Sequence, residues 1–190
     1  RRHPGALALA AAAAGAALAR PTDRGAPHAP RFLQLQGELQ ARGPGKPVLL
    51  LDLDALDADI DTVRRAVPAG MAIRVVAKSL PSIPLLRHVL ARLATDRLMV
   101  FDESVALLAA EFPEVDLLLG KPLPVQAVAA FYAERSRAGV TAPGDRVQWL
   151  VDTPERLAGY AALARGLGVR MRVNIEIDVG LHRGGVDAPA

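Results

Sequence analysis

The sequence predicts an α/β protein, a (β/α)8 TIM-type barrel that is incomplete over these 190 residues. Three observations carry this. Short apolar runs alternate six times with amphipathic stretches after Pro47. The runs are continuous rather than alternating in polarity, as in parallel strands covered on both faces. Polar residues close them at their C-terminal ends (Asp52, Lys78, Asp102, Lys121, Asp152 and Asp178), where a barrel carries its active site. An open doubly wound sheet also fits the alternation. No G-x-G-x-x-G follows the first strand, which weakens its dinucleotide-binding version.

The elements follow in order. Val48–Leu53 reads as the first strand, and a helix runs from Asp54 to about Ala66 with Leu56, Ile60 and Val63 on one face. Ile73–Ala77 is the second strand, ending at Lys78. Pro84–Leu93 is a helix with proline suited to its first turn. Leu98–Phe101 and Val115–Leu119 are strands, separated by a helix from Glu103 to Phe112. Val125–Arg137 is a helix and Val147–Val151 a strand. Asp152-Thr153-Pro154-Glu155 starts a helix that stops near Gly166 and Gly168. Arg172–Ile177 is the last strand, running into Asp178-Val179-Gly180. A complete barrel has eight strands and roughly 250 residues. Here six candidates are present, and the sequence stops where a further helix is due.

Composition narrows the function. Hydrophobic residues make up 51%, enough for one core, and aromatics only 4%. The formal charge is +3, from 23 basic and 20 acidic residues. No basic stripe with interleaved aromatics exists, so no nucleic-acid partner is expected. The absence of cysteine excludes disulfides, thiol catalysis and Cys-based zinc sites. Residues 1–20 resemble a secretory signal: Arg1-Arg2-His3, an apolar run from Ala6 to Ala19, and a small-x-small site at Ala17-Leu18-Ala19. The run is about 14 residues, short of the ~20 that span a bilayer. Export to the periplasm is expected, with a cytoplasmic location as the alternative and no stable membrane span. Residues 21–46 read as a Pro/Gly/Arg-rich linker with one short helix around Phe32 to Ala41. The barrel occupies residues 47–190.

Lys78 is the most informative residue. It ends the run Arg74-Val75-Val76-Ala77, and a buried lysine loses the stabilisation of its ammonium form. A neutral lysine can attack a carbonyl and hold it as a Schiff base. This reading makes Lys78 the anchor of pyridoxal 5′-phosphate. A lysine emerging into water as a strand turns would look the same locally.

Arg74-Val75-Val76-Ala77-Lys78 and the later segment Asn174-Ile175-Glu176-Ile177-Asp178-Val179-Gly180-Leu181-His182-Arg183-Gly184-Gly185-Val186 together resemble the alanine-racemase-like barrel, fold type III of the pyridoxal-phosphate enzymes. Within it the pair looks like the D-threonine aldolase and D-serine dehydratase group, as does the opening Leu51-Asp52-Leu53-Asp54-Ala55-Leu56-Asp57-Ala58-Asp59-Ile60. The resemblance implies that Lys78 is catalytic and binds the cofactor aldehyde. It implies that Arg183 reaches the phenolic oxygen, a task suited to a permanent cation, and that Asp178 and Gly180 belong to the cofactor site. Gly184 and Gly185 would let the backbone turn beside the ring. The implied function is that of a lyase, aldolase or dehydratase acting on D-amino acids or 3-hydroxy amino acids. A racemase of the same fold and a non-catalytic pyridoxal-phosphate-binding protein are the alternatives. The resemblance implies a small amino-acid substrate, and a homodimer only if a full-length chain exists.

The departures from that group bear on substrate. The group reads Arg-Pro-His-x-Lys-Thr-His-Lys around the lysine. Here Arg74 and Lys78 keep their places, Val75 and Val76 replace Pro and His, and Ser79-Leu80-Pro81 replaces Thr-His-Lys. Gly184 stands where a cysteine is usual. The phosphate-binding loops, the C-terminal β domain and its metal ligands are expected to be absent, so no metal site is predicted.

Overall fold

The computed structural model describes residues 25–140 and 146–187, together with Gly15. The signal-like segment at 1–20 lies outside the described residues, apart from Gly15. Among the described residues no helix is long and apolar enough to cross a membrane. The chain divides into two compact units, Arg1–Leu50 and Leu51–Ala190. The first contains helix α1 (Pro30–Arg42), which begins at a proline and buries no residue.

The second unit holds the alternation. Helices α2 (Leu53–Ala66), α3 (Ile83–Leu93), α4 (Val105–Glu111), α5 (Val125–Arg137) and α6 (Pro154–Leu167) separate strands β1 (Val75–Val76), β2 (Arg97–Val100), β3 (Asp116–Leu119), β4 (Val147–Val151) and β5 (Arg172–Ile175). The strands form one parallel sheet in the order β1-β2-β3-β4-β5. Two short strands, β6 (Ile177–Asp178) and β7 (Val186–Asp187), pair parallel to each other. Start and stop signals act as the sequence predicts: the Thr153 hydroxyl accepts the Arg156 N–H at 3.1 Å, and Gly168 closes α6 at φ 65°.

The expected first strand does not form. Val48–Leu51 has no ladder partner and is exposed, Leu49 to 88%. Asp52 explains why Leu53 leaves the expected strand. Its carboxylate accepts the Ala55 N–H at 3.0 Å, capping α2 so that Leu53 is already helical. The second strand is also shorter than expected. After Val76 the chain enters a single 3-10 turn, Ala77–Ser79, and this turn carries Lys78.

One face of the sheet is buried and the other is not. Leu98, Val100, Leu117, Leu119, Val147, Trp149 and Val151 form the core with the inner faces of α3 to α6. Leu98, Leu119 and Trp149 are fully buried. An aromatic group knits β4 to α5 and α6: Trp149 Nε1–H donates to the Tyr132 hydroxyl at 3.1 Å, and Phe131 and Tyr160 pack edge-on to Trp149. The opposite face carries Met99, Leu118 and Leu150, half-buried, beside polar residues. Burial on both faces was the expectation. The continuous apolar runs instead alternate between a dry face and a partly wet one.

That second face holds a network centred on Asp116. Arg74 donates to Asp116 Oδ1 at 2.6 Å and to the carbonyls of Leu98 and Asp116 at 2.9 Å. Gln148 donates to Oδ1 and Arg172 to Oδ2, while Asn174 donates to Gln148. Burial pushes the Asp116 carboxyl up, but the hydrogen bonds from Arg74, Gln148 and Arg172 outweigh it and hold it below the usual range. Arg74 precedes β1, and Asp116 and Arg172 begin β3 and β5. The network therefore staples the N-terminal ends of the strands and leaves the C-terminal ends for other tasks.

Candidate functional site

The polar residues at the strand ends divide by task. Asp52 caps α2. Asp102 accepts the Ser104 N–H at 2.9 Å in the turn before α4. Asp152 pairs with Arg156 at 3.1 Å. The other three, Lys78, Lys121 and Asp178, line one cavity of about 270 Å³ at the C-terminal ends of the sheet. Arg183 and Gly184 complete it from the loop between β6 and β7.

Lys78 is exposed, which corrects the expectation that it is buried. The 3-10 turn is the cause: Ala77 takes the inward position at 7% exposure and Lys78 is rotated to the rim. Its ammonium is nonetheless held. Nζ lies 4.1 Å from the centroid of the Phe101 ring, a cation–π contact worth ~0.5–1 kcal/mol at an exposed position. Phe101 in turn needs Gly120. A Cβ there would lie 2.5 Å from the Phe101 ring and 3.0 Å from Met99 Sδ. Neither Phe101 nor Gly120 stands out in the sequence. The apparent signal, an aromatic and a glycine directly after two adjacent strands, is common at strand ends.

The β6–β7 loop is organised by Asp178. Its Oδ1 accepts the backbone N–H groups of Gly180 at 2.8 Å and His182 at 3.1 Å, and its Oδ2 lies 2.9 Å from His182 Nδ1. The Gly180 and His182 amides hold the Asp178 carboxyl below its ordinary value. With the carboxylate accepting, Nδ1 is the ring nitrogen that donates. The loop closes where the Val186 N–H donates to the Glu176 carbonyl at 2.9 Å. Gly180, Gly184 and Gly185 all have φ above 100°, and His182 sits at φ 50°. Gly185 is the tightest of these: a Cβ would lie 2.8 Å from Asp178 N and 2.9 Å from Glu176 O.

Lys78, Asp178 and Arg183 thus meet in one cavity, with Gly180 on the loop that forms its wall. Lys121, named in the sequence only as a strand end, is there too. Among the described residues Lys121 and Arg183 have neither ion-pair nor hydrogen-bond partners. The lining carries three cations, Lys78, Lys121 and Arg183, two carboxylates, Glu176 and Asp178, and the apolar surfaces of Phe101, Ile177 and Leu181, so the cations are in excess. It fits a small anionic aromatic aldehyde. The volume is near the ~300 Å³ lower end for small-molecule pockets. Among the described residues no group of carboxylates and histidines could hold a metal ion.

A parallel α/β sheet with a lysine and an arginine sharing a cavity at its strand ends is the arrangement of a barrel-type protein with a small-molecule site at that face. Residues 51–190 match the family described as alanine racemase, N-terminal domain, and the chain belongs to it. That family has a TIM-type barrel, of which the five strands here are part, and it binds pyridoxal phosphate. No curated protein matches the chain.

Proposed function

We propose that this chain carries the cofactor half of a lyase, aldolase or dehydratase for D-amino acids or 3-hydroxy amino acids, with Lys78 as the residue that holds the aldehyde. The observation that supports it is the shared cavity of Lys78 and Arg183. Bound pyridoxal phosphate supplies an electron sink for negative charge at a substrate Cα. The chain's own residues do the rest. Phe101 positions the Lys78 ammonium, which gives up its proton before the amine attacks, and a positioned group loses less freedom when it reacts. Arg183 offers a planar cation that cannot lose its proton, suited to an anionic ring oxygen. Asp178 orders the backbone that bears Gly180 and Arg183.

Lys121 lines the same cavity, so the assignment of Lys78 has a built-in competitor. The Phe101 contact supports Lys78, since Lys121 has no comparable partner among the described residues. The test is to titrate the full chain with pyridoxal phosphate, follow the imine absorbance, reduce with borohydride and map the modified peptide. Modification at Lys78, its loss in Lys78→Ala and weakened binding in Arg183→Ala are the expected results. Modification at Lys46 or Lys121, or an unchanged band in Lys78→Ala, would refute the assignment.

A further inference from the structure

A second cavity, of about 380 Å³, shares Lys78 and Phe101 with the cofactor cavity. It lies between the 3-10 turn with the start of α3 on one side and the end of β2 with the start of α4 on the other. Its walls are apolar: Leu80, Ile83, Leu86, Val100, Leu107 and Leu108. Its polar lining is Lys78, Ser82, Asp102 and Ser104, of which Asp102 accepts the Ser104 N–H. The rest of the lining is hydrocarbon. The apolar part of the cavity suits a hydrocarbon group.

We infer that this cavity receives the carbons beyond Cβ of the amino-acid substrate and makes the site selective for an aliphatic chain there, such as that of leucine, while any 3-hydroxyl stays on Cβ beside Lys78 at the mouth. The inference rests on the proposed role of Lys78. A substrate amine must reach the aldehyde carbon that Lys78 holds, so Cα comes beside the Lys78 side chain. That side chain borders both cavities, and the apolar one is the space next to it that fits a hydrocarbon substituent.

The test uses the full chain loaded with pyridoxal phosphate. D-Leucine, D-norvaline, D-alanine and D-threonine are each titrated, and the change in cofactor absorbance gives Kd. Leucine and norvaline should bind at least about 10-fold more tightly than alanine, since one methylene in an apolar pocket is worth 10-fold or more. Leu107→Trp fills the cavity from a residue that is 55% exposed. It should abolish the leucine preference while leaving the alanine Kd and the cofactor band unchanged. Ser104→Trp, also at an exposed position, repeats the test from the opposite lip. Modification of Lys78 by the cofactor with leucine no tighter than alanine would overturn this inference alone. A leucine preference that survives both tryptophans would do the same. Failure of Lys78 to take up the cofactor would overturn this inference and the proposed function together.

Discussion

Substituting Gly185 by alanine should uncouple cofactor binding from global stability. The residue sits at φ 102°, and an added Cβ would lie 2.8 Å from Asp178 N and 2.9 Å from Glu176 O. Both are backbone atoms, and the Glu176 carbonyl accepts the Val186 N–H, so neither swings aside as a side chain would. The φ strain alone costs ~1–3 kcal/mol, and the contact adds to it. The loop has little to lose by opening, because Val179 and Leu181 are exposed and β6 and β7 pair through only two residues each. It should therefore release the Val186 N–H bond to Glu176 O rather than unfold the core. A loop open by 1–3 kcal/mol lowers apparent affinity by roughly 5- to 150-fold. Pyridoxal-phosphate titration should read that loss, hydrogen exchange at the Val186 amide should accelerate, and the melting temperature should move by less than ~2 °C. Gly180→Ala is the control: the same φ of 102° but no atom within 4 Å of the new Cβ. It should weaken binding less. Wild-type affinity in Gly185→Ala, or a large loss of Tm with affinity intact, would refute the view that this loop is a separate unit of the cofactor site.

Two further outcomes test the framework beneath the site. Tyr160→Phe removes a buried hydroxyl that donates to the Leu123 carbonyl at 2.7 Å and accepts the Leu123 N–H at 3.2 Å. The carbonyl keeps Arg156 but the amide is orphaned, so urea unfolding should show a loss of ~1–3 kcal/mol; a loss near zero would mean that water reaches Leu123. Asp116→Asn addresses acid stability. The folded-state value of Asp116 is depressed below 3.8, so its contribution is full above the unfolded value and is lost as pH falls through the folded one. The deficit of the variant, ~2 kcal/mol near pH 7, should shrink below about pH 4; a deficit constant down to pH 2 would show that the carboxylate is not what holds Arg74 and Arg172.

The periodic elements were legible because local chemistry decided them. Val125–Arg137 and Val147–Val151 fall where the apolar spacing puts them, and Thr153-Pro154 marks a helix start by capping and by the missing proline N–H. Val48–Leu53 misled for a related reason. Its composition is that of a strand, but a strand exists only through a neighbour's backbone, and a run of leucines carries no information about whether one is there. Asp52 was the clue: four residues into an apolar run, its carboxylate competes as a helix cap. The mixed burial of the sheet was hidden in the same way. Asp116, Gln148 and Asn174 each look like an isolated polar residue in or beside an apolar run. Only the parallel register, with Leu118 against Gln148 and Leu150 against Asn174, gathers them on one face.

At the site, the charged residues proposed for the chemistry were readable and those that position them were not. Lysine and arginine are conspicuous beside apolar runs because their charge demands a reason. Phe101 and Gly120 are inconspicuous, yet they decide where the Lys78 amine rests. The ring that faces the ammonium occupies space that any side chain at residue 120 would contest at 2.5 Å. That dependence runs between two strands that pair in parallel, from the residue after β2 to the residue after β3, so sequence spacing does not encode it. Because a phenyl ring is the movable partner, a larger residue at 120 displaces Phe101 rather than breaking the sheet. The amine at Lys78 then loses its rest position while the core stays intact. Placement of the reactive group is thus the least robust property of this end of the sheet, governed by the absence of one methyl group.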